Sequence, residues 1–455
     1  MSTAVHQPIA QTRHALLLIA LTALLLISVL AITGVPIATA LLLTGFVLWQ
    51  AVFGAVTWRW LRPTAPLLEV AGAALAVGTA VSALAGVLSA TAGLGPWGWL
   101  VPSAVALALR IRRRPRSIDD EVERGWSFAS LLGFFAAVIP GLAIVLYTLR
   151  RYPLTWVGGW DGYHPDMPFF EAISVHIAQY GAFSTPFMTE GAVRYHWLSY
   201  TWAGQLTLAA DAAPFVTVTR VLPVVALLGS AAMVASWTRQ LSKHAWTPTL
   251  AGLLLSLGGF TGAVFGGVMT MDSPSQSMSV LWLIAFSIAV IHLAQTPETR
   301  WLGPILVGVL AFALVGAKVS AAAPAVAGVL LLTLVQALRR DLRSIRLLVA
   351  TIVGAASGFF FFLFGSLGGG GLTLGALVDK ASSQQGLNPI DTKYAVVAGT
   401  AILVLAVLPR WAGVLWLLTQ RDWRWRPEVT YSLGLAGSSI AALVAFNSFN
   451  EVWFS

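Results

Sequence analysis

Residues 37–57 read IATALLLTGFVLWQAVFGAVT, an apolar run with no charged side chain. Its length matches the roughly 20 residues an α-helix needs to cross a hydrocarbon core of about 30 Å. Leu16–Ile32, Leu67–Ala90 and Ala129–Leu149 are apolar runs that come near or exceed the same length, and comparable stretches recur as far as residue 446. Across 455 residues, 57% are hydrophobic and 10% charged, and mean hydropathy is +0.80. A water-soluble core of this size would need far more polar surface to cover it. The sequence therefore predicts an all-α, polytopic transmembrane helical bundle of about thirteen or fourteen membrane helices, with no separate soluble domain.

The first apolar run is too long for a signal peptide and is followed at once by a second, so it reads as a retained span. Spans are expected near 15–33, 36–57, 66–92, 96–110 and 126–149, then near 215–238, 247–267, 277–295, 302–316, 318–337, 347–365, 394–409 and 429–446. The stretch 195–210 is apolar but short, and reads as re-entrant or packed against other helices.

The net charge of +9 does not point to nucleic acid. Its arginines gather in short connectors: Arg59 and Arg62; Arg110, Arg112, Arg113, Arg114 and Arg116; Arg339, Arg340, Arg343 and Arg346; Arg421, Arg424 and Arg426. Basic connectors of this kind mark the cytoplasmic side. That places the protein in the cell membrane with its N-terminus in the cytoplasm, and leaves the cytoplasmic end with little besides arginine. The chain has no cysteine, which excludes disulfides and thiolate chemistry.

After the fifth span, residues 150–194 are too polar for lipid and form the expected outer loop. Within it Pro168–Tyr180 places Phe169, Phe170, Ile173, Ile177 and Tyr180 at helical spacing, with Glu171 and Ser174 opposite. This predicts an interfacial amphipathic helix. Acidic and basic groups beside apolar segments cost several kcal/mol unless they line a cavity or find a partner, so they are the functional candidates. Asp161 and Asp166 suit general-base chemistry on an acceptor hydroxyl. Each also has a structural reading: Asp166 as the cap of the helix that begins beside Pro168, and Asp161 as a turn residue before Gly162.

Arg194 and His196 sit where the chain returns to an apolar stretch. There Tyr195, Trp197 and Tyr200 read either as part of a site or as an aromatic belt at the headgroups. His164, His176 and His196 lack metal-ligand spacing. Arg220 and Lys318 are cations at or within apolar helices, placed either to hold a phosphate or to snorkel to headgroups. Asp272 reads as a cap in an outer turn.

The run Trp160-Asp161-Gly162-Tyr163-His164-Pro165-Asp166-Met167-Pro168-Phe169-Phe170-Glu171 resembles the first outer loop of GT-C type membrane glycosyltransferases. The later Arg194-Tyr195-His196-Trp197 and Gly316-Ala317-Lys318-Val319-Ser320 are similar to segments of a poorly characterised bacterial branch of that superfamily. The likeness covers residues 126–320. It implies N-terminal membrane helices over 1–125 and a GT-C-like membrane core over 126–455. It also implies transfer of a sugar from a polyprenyl-phosphate donor to a glycan or protein acceptor on the outer face. By position Asp166 is the catalytic acid of the loop and Asp161 the second choice. Glu171, Arg194, His196, Arg220 and Lys318 are then substrate-binding residues. The resemblance implies a polyprenyl-phosphate-linked sugar as donor with no nucleotide, and leaves room for a divalent ion, which only carboxylates could hold. The competing expectation is a transporter or flippase of a lipid-linked or small polar substrate. Membrane lipids are partners in either case.

Overall fold

A computed structural model describes residues 7–112, 127–150, 152–154, 166–187, 193, 195–257, 273–296, 301–363, 372–374, 413 and 415–448. The protein is a multi-pass helical membrane bundle. Among the described residues seven helices are long and apolar enough to cross a membrane, and three shorter apolar helices accompany them. The span expected at 394–409 falls outside the described residues, as do Asp161, Arg194, His164 and Asp272.

The chain forms two compact units, residues 1–260 with 266–285, and residues 261–265 with 286–455. In the first, α1 (Gln7–Ile32), α2 (Ile37–Leu61) and α3 (Leu67–Thr91) follow one another. A 3-10 turn (Pro96–Leu100) then leads into the short α4 (Val101–Arg112). Next come α5 (Phe128–Leu149), α6 (Met167–Tyr180), α7 (Leu198–Ala210), α8 (Pro214–Leu241) and α9 (Thr247–Leu257). The helix α10 (Pro274–Gln295) carries the boundary between the units. The second unit continues with α11 (Leu302–Ala317), α12 (Val319–Leu338), α13 (Ile345–Leu363) and α14 (Pro427–Ala445). A short antiparallel pair, Leu372–Leu374 with Phe446–Ser448, completes it.

Lipid tails are as apolar as leucine, so helices in a membrane associate through close packing and polar contacts. Small residues permit the approach. A Cβ on Gly54 of α2 would strike the Ala74 carbonyl of α3, and one on Gly78 would strike the Gln50 carbonyl of α2. In the second unit Gly354 of α13 sits just as tightly against Gly308 of α11. The polar contacts are buried. Trp202 Nε1 donates to Gln50 Oε1 at 2.6 Å, Gln205 Nε2 to the Ala83 carbonyl at 3.0 Å, and Trp282 Nε1 to Thr79 Oγ1 at 3.0 Å. The first two bonds join α7 to α2 and α3. The expected short stretch 195–210 is thus a helix packed among others, with nearly every residue buried.

Candidate functional site

Within the polar loop lies α6. Pro168 opens the helix, where its missing N–H costs nothing. Gly181 closes it with φ +85°, and its N–H donates to the Ile177 carbonyl at 2.9 Å. A Cβ there would collide with Thr91, whose Oγ1 accepts from the Ala182 N–H at 3.0 Å. The far end of α6 is thereby fastened to the end of α3. The buried side of α6 is Met167, Phe170, Ile173, Ser174, Ile177 and Ala178. Ser174 therefore lies on the packed face, not the polar one. At its level Gly204 of α7 meets the Ser174 carbonyl with no room for a side chain.

Asp166 stands at the start of this helix. Its carbonyl accepts from the Phe170 N–H at 2.9 Å, yet its carboxylate makes no capping hydrogen bond to the first turn. Asp166 is exposed, and Phe169, three residues on, belongs to an aromatic cluster. Phe169 stacks on Phe187 (centroids 5.3 Å apart, 18° between planes) and meets Tyr195 edge-on at 5.3 Å. Tyr195 stacks on His196 at 3.8 Å, and Phe170 lies parallel to Tyr200 at 4.5 Å. Burial, and after it the charge of Asp166, push the Tyr195 hydroxyl above the usual tyrosine range.

The aromatic-belt reading of the re-entry does not hold. Trp197 is buried with its Nε1 donating to the Val193 carbonyl at 3.1 Å, and Tyr200 is fully buried. These rings pack into the bundle instead of facing headgroups, because α7 is enclosed by α2, α3 and α6. His196 is half-buried against Tyr195.

Glu171 is half-buried, and its backbone carbonyl accepts from Ser174 Oγ at 2.8 Å. Burial raises its pKa above the ordinary carboxylate value.

Arg220 does not snorkel. It is 1% exposed, on a π-helical turn (Thr217–Val221) of α8. Its Nη2 donates to the Tyr152 carbonyl and its Nη1 to Thr219 Oγ1, each at 2.6 Å, while its guanidinium lies 5.3 Å from the Phe215 ring centroid. The turn widens the helix locally, as such turns do at functional positions. It also lets the guanidinium hold the chain that leaves α5. Arg220 is thus an anchor for the start of the loop, with part of its donor fork already committed.

No family model, no curated protein and no solved structure matches this chain. The residues and their geometry alone therefore carry the functional reading.

Lys318 belongs to the second unit. It is the single extended residue between α11 and α12, not part of a continuous helix, and it is half-buried. Its N–H donates to the Leu314 carbonyl at 2.7 Å, and its own carbonyl accepts from the Ala321 N–H at 3.1 Å. Among the described residues, no three histidine, aspartate or glutamate side chains gather as metal ligands.

A second buried polar cluster involves none of the loop residues. It lies in the first unit where α2 ends and α3 begins, at the opposite end of α3 from Thr91. Glu69 is fully buried. Its Oε1 accepts from Trp58 Nε1 at 2.9 Å and lies 3.3 Å from Arg62 Nη1, while its Oε2 accepts from Gln240 Nε2 at 2.6 Å. Arg62 Nη2 donates to Gln240 Oε1 at 3.0 Å, and the guanidinium lies 4.7 Å from the centre of the Trp237 ring. The expectation that this end holds arginine and little else is therefore corrected. The available signal was a lone carboxylate two residues inside an apolar run, a costly placement without a partner. Its partner Gln240 is 171 residues away in sequence, which local reading does not reach.

Proposed function

We propose that the chain is a membrane glycosyltransferase that moves a sugar from a polyprenyl-phosphate donor to an acceptor hydroxyl. In this reading the loop of residues 150–194 lies on the outer face and the arginine clusters lie in the cytoplasm. The observation that carries it is an exposed carboxylate, Asp166, at the start of the helix whose Phe169 joins Phe187, Tyr195 and His196 in one aromatic cluster. A pyranose presents C–H faces that pack on aromatic rings and hydroxyls that bond to a carboxylate, so this pairing suits a sugar better than an ion or a purely apolar ligand.

In the proposed reaction Asp166 takes the proton of the acceptor hydroxyl as its oxygen bonds to the anomeric carbon. The bond from that carbon to the phosphate oxygen breaks, and polyprenyl phosphate departs with the electron pair. Asp161 is the second candidate for the base. Arg194 is the candidate cation for the departing phosphate, and Arg220 supports the loop from below. Glu171 and His196 are the candidate contacts to sugar hydroxyls. Asp166→Asn should lower turnover by orders of magnitude in a purified, lipid-supplied assay while leaving the unfolding temperature unchanged. An unaltered rate removes Asp166 from the mechanism.

One observation favours a second reading, a transporter or flippase. The break at Lys318 interrupts consecutive apolar helices, as in many transporters where broken helices border the substrate. A transferase consumes donor in detergent without any gradient. A transporter requires sealed vesicles and leaves the glycosidic bond intact.

A further inference from the structure

The second unit gathers its described arginines at one end. Gln336 Nε2 near the end of α12 donates to the Ala294 carbonyl near the end of α10 at 3.3 Å. Gln295 Nε2 donates to Glu428 Oε1 in the first turn of α14 at 2.6 Å. The Arg346 guanidinium lies 5.3 Å from the Trp301 ring, so the start of α13 adjoins the start of α11. The connector from α12 to α13 closes the group, its turn set by Arg340 at φ +63°. These contacts bring Arg339, Arg340, Arg346, Arg421, Arg424 and Arg426 to a common face, and all six are exposed.

Among the described residues acidic groups offset them only in part. Asp341 is paired with Arg343 at 2.9 Å, and the Glu428 carboxylate accepts from Gln295. Among the described residues Asp422 is the remaining acidic residue on the connector that precedes α14. Large apolar side chains are interleaved with the cations: Trp301 is 56%, Trp425 50% and Leu338 77% exposed. Two of the arginines lie over indoles of their own connector, Arg426 over Trp423 at 4.0 Å and Arg424 over Trp425 at 5.3 Å.

We propose that this face binds the phosphates of anionic phospholipids. The chemistry is that of the membrane boundary, where exposed leucine and indole meet acyl chains and glycerol while guanidinium forks meet phosphate oxygens two at a time. A soluble polyanion would match the arginines but would gain nothing from apolar side chains at the same depth. Basic clusters at helix ends attract anionic leaflets for the same reason.

The test uses the full chain in a neutral detergent, titrated with phosphatidylglycerol, phosphatidylcholine or soluble glycerol phosphate while the unfolding temperature is read. Phosphatidylglycerol should raise it by several degrees and the other two should not. The triple variant R421Q/R424Q/R426Q, and separately R339Q/R340Q/R346Q, should unfold near the parent temperature without lipid and lose at least half of the shift. Equal effects of the two lipids, or a full shift in both variants, overturns the proposal. An equal effect of glycerol phosphate also overturns it, in favour of a soluble anion. Should a triple variant fail to fold, Arg424→Gln replaces it, with native mass spectrometry counting retained phosphatidylglycerol; an unchanged count is the overturning result.

Discussion

Replacing Arg62 by leucine should destabilise the first unit by about 3 kcal/mol. That is the low end of the roughly 3–5 kcal/mol expected when one partner of a buried ion pair is removed. The low end applies because the Glu69 carboxylate keeps its hydrogen bonds from Trp58 and Gln240. Glu69→Leu should cost about 4 kcal/mol, since it strands three donors at once: the Trp58 indole, the Gln240 amide and the Arg62 guanidinium. Arg62 can still bond Gln240 Oε1 and lie over Trp237, which limits the loss. With both partners apolar, the desolvation cost of two buried charges disappears. The double variant should then cost clearly less than the sum of the single changes, with a coupling of about 2 kcal/mol. Both residues are less than 10% exposed, so solvent screening does not reduce these values. The measurement is reversible unfolding in mixed micelles across the four-member cycle. Additive single effects would refute the reasoning, as would an Arg62→Leu cost below about 1 kcal/mol, the range of a solvent-exposed pair.

Three further outcomes are expected. Gly204→Ala places a methyl group against the Ser174 carbonyl and should cost about 1–3 kcal/mol by thermal unfolding, because two helix backbones must separate. The same change should loosen the Phe170–Tyr200 stack, read as a shift in near-ultraviolet circular dichroism. Glu171 binds its proton more tightly in the folded protein than in the unfolded chain. Its contribution is therefore most favourable below the unfolded value of 4.5 and is lost as pH rises through the elevated folded value. Glu171→Gln should flatten that decline in a series of unfolding temperatures from pH 4 to 7, and an unchanged slope would show that the carboxyl is not the group responsible.

Several elements were legible because each rests on a local rule. The apolar runs required spans whatever their neighbours, and the structure places α2 over Ile37–Leu61, α3 over Leu67–Thr91 and α5 over Phe128–Leu149. The amphipathic helix between Pro168 and Gly181 also lies where proline at its start and glycine at its end require. Its facing was only partly legible. Hydropathy assigned Ser174 to the polar side, yet a small side chain was needed where Gly204 approaches. The re-entry was ambiguous for a related reason. Tyr195, Trp197 and Tyr200 have the composition of a headgroup belt, and only the helices surrounding α7 make them interior.

The sequence by itself determined that this chain spans membranes many times, and where most of its helices begin and end. Hydrophobic length, proline and glycine act over a few residues, and water and lipid sort them without reference to the rest of the fold. Tertiary structure alone decided which polar residues are partnered. Glu69 with Gln240, Gln50 with Trp202 and Arg220 with the Tyr152 carbonyl are joined across 171, 152 and 68 residues. Buried hydrogen-bonding groups must find partners wherever packing brings them, and no local pattern records which partner that is.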